Sequence, residues 1–93
     1  MIIGVLTLQL YLGEANSLKD KRRILKSIID RIKNRFNVSV AEVDQQDLWQ
    51  SATIGISMVS CEQAHVSKVL AAIVRFIEAQ GIVLITHYQT EYL

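Results

Sequence analysis

The sequence predicts an α+β sandwich in which four strands and two helices follow one another in the order βαββαβ. The chain has 93 residues, 51% of them hydrophobic, which suits one domain built around one core. Four segments alternate apolar and polar residues as strands do, and two segments repeat apolar residues at helical spacing. Because each half of the chain runs strand, helix, strand, we expect a ferredoxin-like fold over residues 1–93. Both helices would then cover one face of a four-stranded antiparallel sheet.

The elements of the first half are indicated by periodicity and turn residues. Residues 2–12 alternate as a strand and are followed by a turn from Gly13 to Asn16. Ser17 and Asp20 resemble a capping box and start a helix that ends near Asn37. Residues 38–44 form the second strand. The apolar stripe of the helix consists of Leu18, Leu25, Ile28, Ile29, Ile32 and Phe36.

The second half repeats this order. A turn over residues 45–48 leads into a strand from about Trp49 to Val59. Ser60 and Gln63 resemble a second capping box, and the helix that follows stops at Gly81. Residues 82–92 form the last strand. The residues expected between the sheet and the helices are Leu6, Leu8, Leu25, Ile28, Ile54, Ile56, Leu70 and Ile73.

Charge is distributed very unevenly along the chain. Eight of the ten Lys and Arg residues lie between Lys19 and Arg35 and give that stretch a formal charge of +6, although the whole chain carries only +1. At about 100° per residue, four of these side chains fall within an arc of about 60° beside the apolar stripe, and Arg23 lies slightly further round. We call this set the basic ridge. Its members are Lys19, Arg22, Arg23, Lys26 and Lys33.

The basic ridge has one functional and two structural interpretations. A row of cations on a helix follows the phosphates of a nucleic acid, which predicts RNA binding. The first alternative is a solvated helix face, which Asp30 helps to neutralise four residues after Lys26. The second is internal ion pairing, in which Glu42, Asp44 and Asp47 approach Lys19, Lys21 or Arg23. Lys21 is the favoured partner of an acid because it projects into the apolar arc.

The sheet face without helices is the second candidate surface. Its central positions are expected to carry no aromatic side chain that stacks on a base, apart from Tyr11 at the end of the first strand, which argues against reading of single-stranded RNA on the sheet. These positions are Val5, Thr7, Gln9, Thr53, Gly55 and Ser57. Ile3, Val5, Val59 and parts of residues 82–85 make the face apolar enough to predict a homodimer.

Signs of catalysis are few. His65 and His87 lie on different elements without metal-ligand spacing, and Cys61 with His65 lacks an orienting group, so we expect neither a catalytic site nor a metal or cofactor. Cys61 is expected in the first turn of the second helix. Trp49 is either an exposed anchor for a partner or, the favoured interpretation, packed over the edge of the core with its indole hydrogen-bonded locally. A single cysteine and the lack of a long apolar run predict a cytoplasmic protein without a membrane anchor.

Three blocks carry a family resemblance. They are the segments from Ser17 to Arg23, from Asn37 to Asp44, and from Asp47 to Gln50 followed by Ala52. In this order the blocks resemble the bacterial YlxP-like proteins, a family of unknown function also labelled DUF503. The resemblance covers nearly the whole chain and implies a ferredoxin-like fold. Genes of this family often lie among those for translation and ribosome maturation, which implies an RNA partner, and the family supplies no active site.

Together these observations predict a non-catalytic protein that binds RNA or a ribonucleoprotein such as the ribosome through its basic first helix. The alternative is a homo-oligomeric interaction module whose helix attracts an acidic protein and whose sheet face pairs with itself. A small-ligand sensor of the same topology is a third possibility, weakened because the chain has no Gly-rich ligand loop.

Overall fold

The computed structural model describes residues 1–93 and has the predicted order βαββαβ. The four strands form one sheet in the order β2-β3-β1-β4, and all neighbouring strands are antiparallel. The fold is therefore the predicted ferredoxin-like α+β arrangement. The element bounds are β1 Ile2–Tyr11, α1 Leu18–Arg35, β2 Ser39–Asp44, β3 Ser51–Ser60, α2 Gln63–Gln80 and β4 Leu84–Tyr92.

The core lies between the sheet and the two helices, as the alternation predicted. All eight residues expected there are buried, and the even-numbered side chains of β1 pair in register with those of β3, as Leu6 does with Ile56. Gly4 lies at the other end of β1, where a Cβ atom would overlap the Val66 side chain of α2. Glycine at this position therefore lets α2 pack closely on the central strand.

The start of α1 and the end of α2 follow the sequence signals, whereas the start of α2 does not. Ser17 Oγ accepts a hydrogen bond from the Asp20 amide at 3.1 Å, as an N-cap should, and Gly81 ends α2 with a left-handed φ of 68°. The predicted capping box at Ser60 is wrong. Ser60 still pairs with Ile2 in the sheet, so the cap shifts to Glu62, which makes no side-chain cap bond.

The turn between β2 and β3 departs from the predicted alternation. The pairing shifts between Glu42 and Asp44, so that Glu42 faces Ile54 and Asp44 faces Thr53. Neighbouring residues of β3 point to opposite faces, so the bulge at Val43 places Glu42 and Asp44 on opposite faces of the sheet, whereas residues two apart on a regular strand share one face. Asp44 Oδ1 accepts a hydrogen bond from the Gln45 amide at 2.8 Å at the start of this turn.

The two helices run antiparallel and are offset along their axes. The last turn of α1 lies beside the second half of α2: the Phe36 and Phe76 rings meet edge to face with centroids 5.6 Å apart, and Arg31 donates a hydrogen bond to Gln80 Oε1. Every hydrogen bond and aromatic contact between the two helices involves residues 31–36. The first half of α1 makes none of these contacts with α2.

Candidate nucleic-acid interface

The two layers of the fold carry opposite charge. The helices hold all ten Lys and Arg residues and only three acids, Asp20, Asp30 and Glu78, which gives the helical layer a formal charge of +7. The other six acids lie in strands and loops. A surface with one dominant sign attracts partners of the other sign and orients their approach. The uneven distribution of charge along the sequence thus corresponds to one cationic face of the folded domain.

Every member of the basic ridge is exposed. Lys19, Arg22 and Lys33 form no ion pair with an acid. Arg23 lies 3.4 Å from Asp20 and Lys26 lies 3.1 Å from Asp30, in each case within one helical turn. Exposed pairs of this kind contribute about 0.3–0.5 kcal/mol, so both cations can exchange their acid for a phosphate at little cost.

Lys21 is the one basic side chain that is neutralised inside the fold. It is 1% exposed, and its Nζ lies 2.9 Å from Glu42 Oε2 and donates a hydrogen bond of 2.6 Å to the Gln45 carbonyl. The ion pair lacks hydrogen-bond geometry, so Glu42 Oε2 is buried without accepting a hydrogen bond. Of the acids expected to approach α1, only Glu42 does so, and Asp44 and Asp47 pair with no cation. Internal pairing therefore leaves the basic ridge free.

A second basic cluster, which the sequence analysis missed, lies where the helices meet. Arg31 and Arg35 project from the flank of α1 about 160° from the centre of the basic ridge. The Arg35 guanidinium lies 5.1 Å from the centre of the Phe76 ring, and Arg75 of α2 lines the same groove. No arginine of this cluster pairs with an acid. A sequence signal existed, since Arg35 and Arg75 each directly precede a phenylalanine, but only the helix packing brings these two arginines together.

The sheet face without helices carries no Lys or Arg. Its acids are Asp44 at the end of the edge strand β2 and Glu91 on the edge strand β4, and the central strands present the small and apolar side chains expected from alternation. Val43 lies across Gly55, where a Cβ would be 3.1 Å from its Cγ1, and a shallow cavity of about 300 Å³ opens beside them. One detail was wrong: Ile82, Val83 and Ile85 pack against the core, and only Leu84 of that segment is well exposed.

Two isolated residues differ from expectation. Trp49 is 50% exposed and its indole makes no hydrogen bond, so the favoured interpretation of a packed, bonded side chain is wrong. The reason is that β3 begins at Ser51, which leaves Trp49 in the preceding turn. Cys61 is exposed and precedes α2, so it lies outside the first helical turn where it was expected.

Other kinds of site find little support. No group of three or more His, Cys, Asp or Glu side chains is placed to hold a metal ion. Neither helix is long and apolar enough to cross a membrane.

Comparison with known proteins identifies the family. The model of the family described as "Protein of unknown function (DUF503)" matches residues 3–90. The chain belongs to this family. It is also 38% identical over 78 residues to the uncharacterized protein YlxP of Bacillus subtilis (strain 168), covering 84% of this chain and 85% of that protein. The family assignment predicted from the three sequence blocks is confirmed, and neither name gives the family a catalytic role.

Two solved structures resemble the fold at low sequence identity. The de novo designed protein Foldit4 superposes with a TM-score of 0.55 at 14% identity, covering 100% of this chain and 97% of the design. A crystal structure of a putative chlorite dismutase superposes with the same TM-score at 15% identity, covering 99% of this chain. The chain spans 44% of that second protein. These similarities concern the fold alone.

Proposed function

We propose that this protein binds RNA or a ribonucleoprotein surface, without catalysis, by laying the basic ridge of α1 along the phosphate backbone. The observation that carries the proposal is that all five ridge cations are exposed while the one neutralised lysine, Lys21, lies apart from them in the core. A protein that needed its positive charge only for internal pairing would place it against Glu42, Asp44 and Asp47.

The shape of the surface favours backbone recognition over base recognition. The first half of α1 makes no hydrogen bond or aromatic contact with α2, and its exposed cations lie on successive turns where a nucleic acid can reach them. Such contacts are independent of sequence and supply most of the affinity of non-specific binding. The helix-free sheet face offers no Lys or Arg and, beyond Tyr11 and the edge-strand residue His87, no aromatic side chain on which bases stack, so the partner is held on the helical side of the domain.

The direct test is the affinity for RNA of a variant that lacks three ridge charges. Replacing Arg22, Arg23 and Lys26 by Gln keeps residues of good helix propensity, so the domain should still fold. Each lost phosphate contact should weaken binding to RNAs of any sequence by a similar factor. Fluorescence anisotropy with labelled RNA oligonucleotides measures the change, and circular dichroism verifies folding.

A control variant separates a local effect from a change in net charge. Replacing Gln9, Gln46 and Gln63, all exposed and outside α1, by Glu lowers the net charge from +1 to −2, as the ridge variant does. The proposal expects the control to bind RNA far more tightly than the ridge variant. Equal affinities for the two variants, or wild-type affinity in the folded ridge variant, would contradict it.

The helix-free sheet face supports a second candidate function, a homo-oligomeric interaction module that binds an acidic protein. The observation in its favour is the uncharged patch around Val43 and Gly55, because an uncharged surface can meet its own copy without repulsion between like charges. In this alternative the ridge attracts acidic proteins. A polyglutamate that displaces RNA at equal charge concentration would favour it.

A further inference from the structure

The groove between the two helices combines arginine side chains with an aromatic floor. It forms an open cavity of about 390 Å³, within the range of about 300–1,000 Å³ typical of small-molecule sites. No acid lines it. The lining residues are Arg35, Phe36, Ala72, Arg75, Phe76, Ala79 and Gln80.

The Arg35 guanidinium packs against two aromatic rings, which restricts its motion before any ligand arrives. It lies 5.1 Å from the centre of the Phe76 ring and 5.9 Å from that of Phe36, and the two rings are fixed to each other edge to face. Cation–π contact with an aromatic face fixes the plane of the guanidinium, whose fork of N–H donors matches the oxygens of a phosphate. A side chain that is already ordered loses less entropy on binding than a free surface arginine.

The positive charge of the groove is not used inside the protein. Arg35 and Arg75 form no ion pair, and Arg31 reaches across from α1 only to the neutral amide of Gln80 at the end of the groove. Two arginines, Arg35 and Arg75, therefore line one concave surface without a counter-charge, and Arg31 is bonded to Gln80 at its end. Neither the packing of the fold nor RNA binding by the basic ridge requires these unpaired arginines, because Arg31 and Arg35 lie on the flank of α1 opposite the ridge.

We propose that this groove is a second phosphate-binding site, in which Arg35 and Arg75 hold the phosphate group of a nucleotide. The nucleotide is either a free mononucleotide or a residue of an RNA chain whose backbone passes between the helices. Only the RNA source rests on the proposed function, since a free nucleotide would bind here whether or not the ridge binds RNA.

The test titrates the full chain, labelled with ¹⁵N, with inorganic phosphate, with AMP and with an RNA oligonucleotide, and follows backbone amides and arginine Nε–H signals by NMR. Phosphate and AMP should shift the signals of Arg35, Ala72, Ala79 and Gln80 and leave those of the basic ridge unchanged. Replacing Arg35 and Arg75 by Gln should weaken AMP binding at least tenfold. The matched control replaces Gln9 and Gln46, which are exposed and lie outside both helices, by Glu; it lowers the net charge by the same two units and should leave AMP binding unchanged.

Two further variants test the mechanism. Arg35→Lys keeps the charge but loses the planar fork, and Phe76→Leu removes the ring beneath the guanidinium; both should weaken AMP binding severalfold while the protein stays folded. Wild-type affinity in both variants would overturn the proposed role of the ordered guanidinium.

The outcomes separate this site from the proposed function. Groove signals that shift with AMP in a protein that does not bind RNA would support the site and contradict the RNA proposal. RNA binding through the ridge, with no groove signal shifted by millimolar phosphate or AMP, would overturn the site and leave the RNA proposal standing. Polyglutamate that shifts the groove signals as strongly as AMP would overturn the assignment to phosphate. Weaker RNA binding in the Arg35 and Arg75 variant would identify RNA as the source of the bound phosphate. Unchanged RNA binding would identify a free nucleotide as the source.

Discussion

Replacement of Lys21 by Met tests the interpretation that this lysine stabilises the fold and takes no part in binding. The methionine keeps an apolar stem in the core but removes the charged hydrogen bond to the Gln45 carbonyl, a contact worth about 1.5–3 kcal/mol. It also leaves the Glu42 carboxylate without its cation. Breaking a fully buried pair costs about 3–5 kcal/mol. Because Glu42 is 21% exposed and water screens part of its charge, we expect the low end, about 3 kcal/mol in all.

Urea unfolding measures this loss in free energy, and a thermal melt should show a Tm lower by about 12–24 °C, since about 1 kcal/mol shifts a domain of this size by roughly 4–8 °C. The double variant with Glu42→Gln should lose about 1–2 kcal/mol less than the sum of the single variants, because each single change leaves a buried partner behind. A loss below about 1 kcal/mol for Lys21→Met, or strictly additive effects, would refute the reasoning.

Three other predictions concern packing and association. Gly4→Ala should destabilise the domain by about 1–3 kcal/mol because its methyl group overlaps Val66, and adding Val66→Ala should make the combined loss smaller than additive in urea unfolding. Gly81→Ala should lower the free energy of unfolding by about 1 kcal/mol in the same assay. The loss comes from the positive φ alone, because no atom lies within 4 Å of the new Cβ. An unchanged stability would show that the helix end relaxes freely. If two copies pair through the helix-free sheet face, the protein should sediment as a dimer at micromolar concentration, and Val43→Lys should make it monomeric. A wild-type protein that is monomeric throughout that range would exclude this interface.

The fold was predictable because each element has a strong periodic signal and few alternatives. The leucines of β1 alternate without interruption, and the phase of α1 places Lys21 among its apolar residues, which was enough to predict that Lys21 would find an acid. The identity of that acid was not predictable. The bulge at Val43, a backbone irregularity without a residue signal of its own, turns Glu42 towards the helix and Asp44 away from it.

The candidate site was only half predictable for a related reason. The basic ridge lies on one helix, so its geometry follows from about 100° per residue. The groove requires Arg35 and Arg75, which are forty residues apart in the sequence and meet only because α1 is offset along α2. The local sequence pattern also predicted the wrong start for α2. Ser60 has a side chain typical of an N-cap, but its pairing with Ile2 keeps it in the sheet.

The salt dependence of RNA affinity tests the central claim most directly. Each phosphate neutralised on a single strand contributes about −0.7 to the slope of log K against log salt concentration, so five ridge contacts predict a slope of about −3.5. Removing Arg22, Arg23 and Lys26 should reduce it to about −1.4, whereas the control with Glu at Gln9, Gln46 and Gln63 should keep the wild-type slope. A ridge variant with the slope of the wild type would show that these side chains do not contact the RNA backbone.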